Sequence, residues 1–172
     1  MVASGSLFLV GCGYSMSRLL PASYRTLYIE PFQNAIPITQ ETSERTGFFS
    51  NIPQLTEKVT RGVIDRFLFD GTLRVTNSPE KADLRLNGKL LDFYRQALRK
   101  QDDQGVEEYR LNLTAAVTLR DRDGKLLLED PNLVADTTYF LSGSQAKSET
   151  AAVDDLVTDF SRRIVEWVIE YW

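Results

Sequence analysis

One cysteine, Cys12, and no histidine occur among the 172 residues, and these two counts narrow the available chemistry. A lone thiol can close no intrachain disulfide and cannot build a cysteine cage around a metal. A nucleophilic thiol needs a neighbouring base, and the usual imidazole is missing. The acidic pairs Asp102-Asp103 and Asp154-Asp155 are adjacent, which points their side chains apart. Carboxylate catalysis needs two acids converging across a pocket. The chain also has no glycine-rich phosphate loop, no metal-ligand spacing and no nucleophile elbow. These residues argue against an enzyme, and neither a metal nor a cofactor is expected.

Cys12 stands in Leu9-Val10-Gly11-Cys12-Gly13-Tyr14, at the end of a short apolar run. This resembles a bacterial lipobox, in which a signal peptidase cuts before the cysteine and its thiol then carries lipid. A secretory signal has a basic n-region, and residues 1–11 contain no Lys or Arg, so the true start is expected upstream. The expected organisation is a residual signal peptide at 1–11, a lipidated tether at 12–23 and a single α+β domain at 24–172. Twenty Lys and Arg against 24 Asp and Glu give a net charge of −4, unlike the basic field of a general nucleic-acid binder. No apolar run after Cys12 approaches the roughly 20 residues of a spanning helix, so membrane residence rests on the tether.

The elements that position the remaining residues can be read by period. Residues 24–30 read as a strand closed by Pro31, and 33–51 shows no period. Ile52, Leu55, Val59, Val63 and Phe67 form one apolar stripe on a helix that starts near Pro53 and ends at Asp70-Gly71. A short strand at 72–76 and the Asn77-Ser78-Pro79 turn follow. Ala82, Leu84, Leu86, Gly88 and Leu90 alternate with polar residues in a strand running on toward Tyr94, and 101–105 reads as a hairpin loop. The clearest strand is 109–121. Its apolar row from Tyr109 to Leu119 faces the core, and Arg110, Asn112, Thr114, Thr118 and Arg120 face outward. After the Asp123-Gly124 turn a strand returns, is interrupted at Pro131-Asn132 and resumes to Phe140. From about Ser148, residues Val153, Leu156, Val157, Phe160, Ile164, Trp167, Val168 and Tyr171 make a second helical stripe. Two amphipathic helices and a sheet with one dry face predict a two-layer α+β sandwich, both helices on one face of a four-stranded sheet.

One window departs from the acidic average. Five bases, Arg85, Lys89, Arg95, Arg99 and Lys100, stand against the single acid Asp92, among Leu90, Leu91, Phe93, Tyr94 and Leu98. The plain reading is a solvated strand end over core hydrophobes. The alternative is a site for an anionic, acyl-bearing ligand.

Taken in order, the pieces resemble the LptE family of lipopolysaccharide-assembly lipoproteins. The resemblance is carried by Cys12-Gly13-Tyr14, Leu20-Pro21, the run from Thr26 to Phe32 with Asn34, and Phe67-Leu68-Phe69-Asp70-Gly71 into Leu73-Arg74-Val75. It continues through Ala82 to Lys89, Glu107 to Leu111, the Val117 to Asp121 strand with Gly124-Lys125, and Tyr139-Phe140. The 33–51 segment is longer than the family's usual link. The resemblance implies a βαβββα fold, lipidation at Cys12 and residence on the periplasmic side of the outer membrane. It implies an LptD β-barrel partner that the protein plugs and helps assemble, and lipopolysaccharide as a ligand. It then assigns Arg85, Lys89, Arg95, Arg99 and Lys100 to lipopolysaccharide, and Arg110, Asn112, Thr114, Thr118 and Arg120 to the barrel. A periplasmic adaptor lipoprotein that regulates another envelope protein without touching lipid shares the tether, the small α+β body and the polar face.

Overall fold

The computed structural model describes residues 23–37, 52–101 and 105–170. Cys12, the tether and most of the 33–51 segment lie outside the described residues, as does the side chain of Lys100. In chain order the elements are β1 (Thr26–Ile29), β2 (Gln33–Asn34), α1 (Ile52–Asp70) and β3 (Arg74–Val75). A 3₁₀ turn (Pro79–Lys81), β4 (Leu84–Gln101), β5 (Gly105–Asp121), β6 (Leu126–Phe140) and α2 (Glu149–Glu170) follow.

Local chemistry sets one end of each helix. Gly71 takes φ +73° after α1 and donates its N–H to the Phe67 carbonyl, the left-handed stop that glycine adopts freely. At the start of α2 the Ser148 Oγ accepts the Ala151 N–H at 3.2 Å, satisfying one donor of the first turn. The stripes then pack as the periods predict. Leu55, Val59, Val63 and Phe67 of α1 and Val153, Leu156, Phe160, Ile164 and Val168 of α2 are all buried. The helices cross closely at Gly62, where an added Cβ would stand 2.6 Å from the Val157 side chain.

They rest on one face of a mixed six-stranded sheet ordered β3-β1-β4-β5-β6, with β2 also paired to β4. β1 is parallel to β3 and β4, whereas β4, β5 and β6 form an antiparallel meander. The α+β two-layer class holds. Four strands were expected and six are present. β2, with two residues, is too short to leave a period in the sequence, and the strand read at 72–76 is present as the two-residue β3.

The meander is longer and more regular than its sequence suggests. β6 runs unbroken through Pro131, because one extra residue near 130–133 is absorbed as a bulge and Pro131 sits on an edge strand with no further neighbour among the described residues. A second bulge lies on β4, where Leu90 pairs with Ala115 but Asp92 pairs with Thr114. The inserted Leu91 switches which residues face the helices. Before it Leu84, Leu86 and Leu90 are buried, and after it Phe93 is. β6 ends opposite Glu108, so the remainder of β4 and β5 continues as a two-stranded ribbon.

Candidate functional site

Three long strands present their second face away from the helices. Among the described residues no helix lies over it. Arg110, Asn112, Thr114, Thr118 and Arg120 of β5 run along its centre, as their alternation with buried Leu111, Leu113, Ala115, Val117 and Leu119 requires.

Their cross-strand neighbours follow from register. On the β4 side Arg120 lies opposite Arg85, Thr118 opposite Asn87, Thr114 opposite Asp92, Asn112 opposite Tyr94 and Arg110 opposite Gln96. On the β6 side Thr118 meets Glu129 and Asn112 meets Asp136. Arg85 and Lys89, assigned from sequence to an anionic ligand, therefore share this face with the row assigned to a protein partner. Arg85 and Arg120 are like charges directly opposed, an arrangement that costs stability unless each is turned elsewhere. Each is turned: Arg85 donates to the Pro79 carbonyl at 3.2 Å and Arg120 to the Gly124 carbonyl at 3.0 Å.

Acids balance the bases over the rest of the face. Asn87 donates to Glu30 at 2.6 Å, and Arg110 pairs with Asp136 at 3.6 Å. Asn112 is the exception to an otherwise half-exposed row. It is buried to 8% exposure, and its amide nitrogen has no hydrogen-bond partner among the described residues.

Arg95 falls on the opposite side of the sheet, because the Leu91 bulge turns it toward the helices. Its guanidinium lies 4.4 Å from the Tyr109 ring centroid and 3.2 Å from the Glu149 carboxylate at the start of α2. Tyr109 stacks on Tyr139 with centroids 5.8 Å apart. Burial alone would lower the Arg95 pKa, but Tyr139 and Glu149 beside it outweigh burial and hold it above its ordinary value. Burial pushes the Tyr139 phenol up, and Arg95 offsets that only in part. Both groups keep their protons at neutral pH, so the cluster is an ion-pair and stacking joint with no proton to trade.

Arg99 lies on the two-stranded ribbon opposite Glu108, and the Lys100 backbone pairs with Val106. The five bases of the window thus occupy three places: Arg85 and Lys89 on the outer face, Arg95 under α2, and Arg99 with Lys100 on the ribbon. No group of three or more Cys, Asp and Glu suited to a metal occurs among the described residues. No described helix is long and apolar enough to cross a membrane.

A family model described as LptE, lipopolysaccharide-assembly, matches residues 24–166. The chain belongs to the LptE family. No curated protein sequence matches it. A minor lipoprotein from Acinetobacter baumannii has a similar structure at 17% identity and TM-score 0.52, over 86% of this chain and 94% of that one. Uncharacterized lipoprotein B from Nitrosomonas europaea is similar at 15% identity and TM-score 0.53, over 97% and 92%. A protein from Xanthomonas campestris is similar at 14% identity and TM-score 0.59, over 85% and 84%. At such identities these likenesses concern the fold.

Glu30 and Asp136, which bond Asn87 and Arg110 on the outer face, and the Tyr109–Arg95–Glu149 joint are site members that no period or motif in the sequence marks. The doublet Leu90-Leu91, two apolar residues in succession, was the available sign that alternation breaks before Arg95.

Proposed function

We propose that this chain is an outer-membrane lipoprotein, anchored through Cys12 on the periplasmic side. In this reading it plugs and helps assemble an LptD-like β-barrel and binds lipopolysaccharide on its way to the outer leaflet. Membership of the LptE family supports the reading, and one observation carries the plug. The outer sheet face is three strands wide and mostly polar, with acids and bases in balance. Arg110, Asn112, Thr114, Thr118 and Arg120 run along its middle, and Val134 and Leu126 are exposed apolar members on β6. A barrel lumen is polar, and a body filling it needs a surface of this kind. The unpartnered Asn112 amide would gain an acceptor from a lumen-facing side chain.

Lipopolysaccharide carries phosphates and carboxylates, which Arg and Lys can clamp by charge-assisted hydrogen bonds. Arg85 and Lys89 on the face, and Arg99 and Lys100 on the ribbon, are the bases that remain for it. Arg95 serves α2. In this reading the chain positions and carries, and performs no catalysis.

The test is a pull-down from detergent-solubilised membranes. The chain should retain a large β-barrel protein, and Thr114→Asp with Arg120→Glu should lose it while circular dichroism stays unchanged. Recovery of a soluble synthase or a transporter in place of the barrel would favour the adaptor reading. An unaltered barrel yield from the double variant would return the face to solvent.

A further inference from the structure

One end of the molecule collects features that the outer face does not use. The last turn of α1 buries Phe67 but leaves Leu68 at 60% and Phe69 at 82% exposure. Phe69 is the most exposed large hydrophobic side chain among the described residues. Two consecutive large apolar residues on a helix end differ from the isolated exposed leucine that any surface carries. The Arg66 guanidinium lies 5.4 Å from the Phe69 ring centroid. Its charged head can stay in water while its stem and the ring lie against something apolar. The nearby Asp70 carboxylate is turned back onto the Thr72 N–H at 3.1 Å.

The chain enters the domain at this same end. Gly71 leads within three residues into β3, whose Arg74 lies beside Thr26 at the start of β1, and the Arg74 N–H donates to the Arg25 carbonyl. Eleven residue steps lead from Cys12 to Ser23, the first described residue, and a chain that long spans at most about 40 Å. β4 alone, with 18 residues, extends about 60 Å toward the ribbon. A domain tethered at Cys12 therefore keeps its α1 end within about 40 Å of the bilayer and cannot stand on the tip of its ribbon.

We infer that Leu68 and Phe69 insert into the phospholipid interface of the anchoring leaflet, giving the tethered domain a second contact that fixes its orientation. The inference rests on the Cys12 tether proposed above. Its occupant is phospholipid, because this exposed apolar end is the one that lies within the tether's reach of that surface. Interfacial helices use Phe and Leu beside Arg in this way, and firm membrane attachment generally takes two signals.

The experiment couples the full chain through its single thiol, Cys12, to a maleimide phospholipid in phosphatidylcholine vesicles. The linkage is chemical, so a bare Cys12 in native protein would defeat the anchor reading without touching this measurement. Phe69→Trp, and separately Leu68→Trp, should add emission that is blue-shifted and quenched by brominated acyl chains, relative to the parent with its Trp167 and Trp172. Phe69→Ser should lower partitioning of the uncoupled chain onto the same vesicles about tenfold. Water-like, unquenched emission from both tryptophan variants in folded protein overturns the inference. So does a Phe69-dependent dimer in sedimentation, or loss of the barrel partner by Phe69→Ser with no quenching of the coupled variants.

Discussion

Gly88 sits in the middle of β4 where the Phe32 ring lies directly on its backbone, and a Cβ built there would overlap the ring itself. Phe32 has little freedom to retreat, since it is buried and meets Phe160 of α2 edge to face at 6.0 Å. The missing side chain is thus what lets the segment between β1 and β2 close over the sheet and touch the second helix. Gly88→Ala is expected to cost about 3 kcal/mol, as overpacking at an unyielding site does, and to lower the urea midpoint accordingly. A midpoint equal to that of the parent would mean that Phe32 can swing away. Arg95 teaches a related lesson in the sequence window. By composition it belonged with Arg85 and Lys89, but one inserted residue, Leu91, sent it to the other face of the sheet. Residue type is legible in a sequence; which face a residue takes is legible only while alternation is unbroken.

At the scale of elements, the long periodic stretches are those that the sequence makes plain. β5 alternates from Tyr109 to Arg120 without a break, and the helical stripes from Leu55 to Phe67 and from Val153 to Ile164 bury with Val168 as their spacing requires. Trp167 remains half-buried, and Ile52 and Tyr171 lie outside the described side chains. What stays hidden is made of exceptions: the two-residue strand β2 with no period, a proline strand kept continuous by a bulge, and the bulge that turns Arg95. The junction of β1 with β4 is another feature without periodicity. Asp83, just before β4, accepts the Thr26 hydroxyl at 2.8 Å and the Arg25 and Thr26 N–H groups at 3.0 Å, and Arg122 donates to it at 2.8 Å. Burial raises the pKa of this carboxyl, but the bonds from Thr26 and Arg25 and the charge of Arg122 outweigh burial and bring it below the usual aspartate value. A carboxyl depressed in the folded state contributes stability that is complete above its unfolded pKa and lost as pH falls through the folded one. Unfolding free energy should therefore be level above about pH 5 and decline with further acidification. Asp83→Asn should lower the neutral plateau and flatten part of that decline, as measured by urea titrations across the acid range. An acid limb as steep as in the parent would assign the dependence to other carboxylates, of which Asp159, depressed by Arg162 and Arg163 although burial raises it, is the next.

For the whole molecule, charge separates the two partners that its surface is proposed to serve. The outer face carries Arg85, Lys89, Arg110 and Arg120 among Glu30, Asp92, Glu129 and Asp136, so its long-range field is small. A complex made over such a face depends on shape and on short hydrogen bonds, which screening touches little. Lipopolysaccharide presents charge of one sign, and its attraction to a few Arg and Lys side chains acts partly through solvent. Raising salt from about 0.1 M to about 1 M shortens the screening length from about 10 Å to about 3 Å. Over that range the barrel complex should stay intact in a pull-down, while lipopolysaccharide binding by the same preparation should fall steeply. Arg85→Glu with Lys89→Glu should weaken lipopolysaccharide binding at low salt and remove part of its salt dependence, because fewer screened contacts are left to lose. If the barrel dissociates as salt rises, its contact is electrostatic and the balanced face is not the docking surface. If lipopolysaccharide binding ignores salt, acyl-chain contacts carry it and the bases on this face are bystanders.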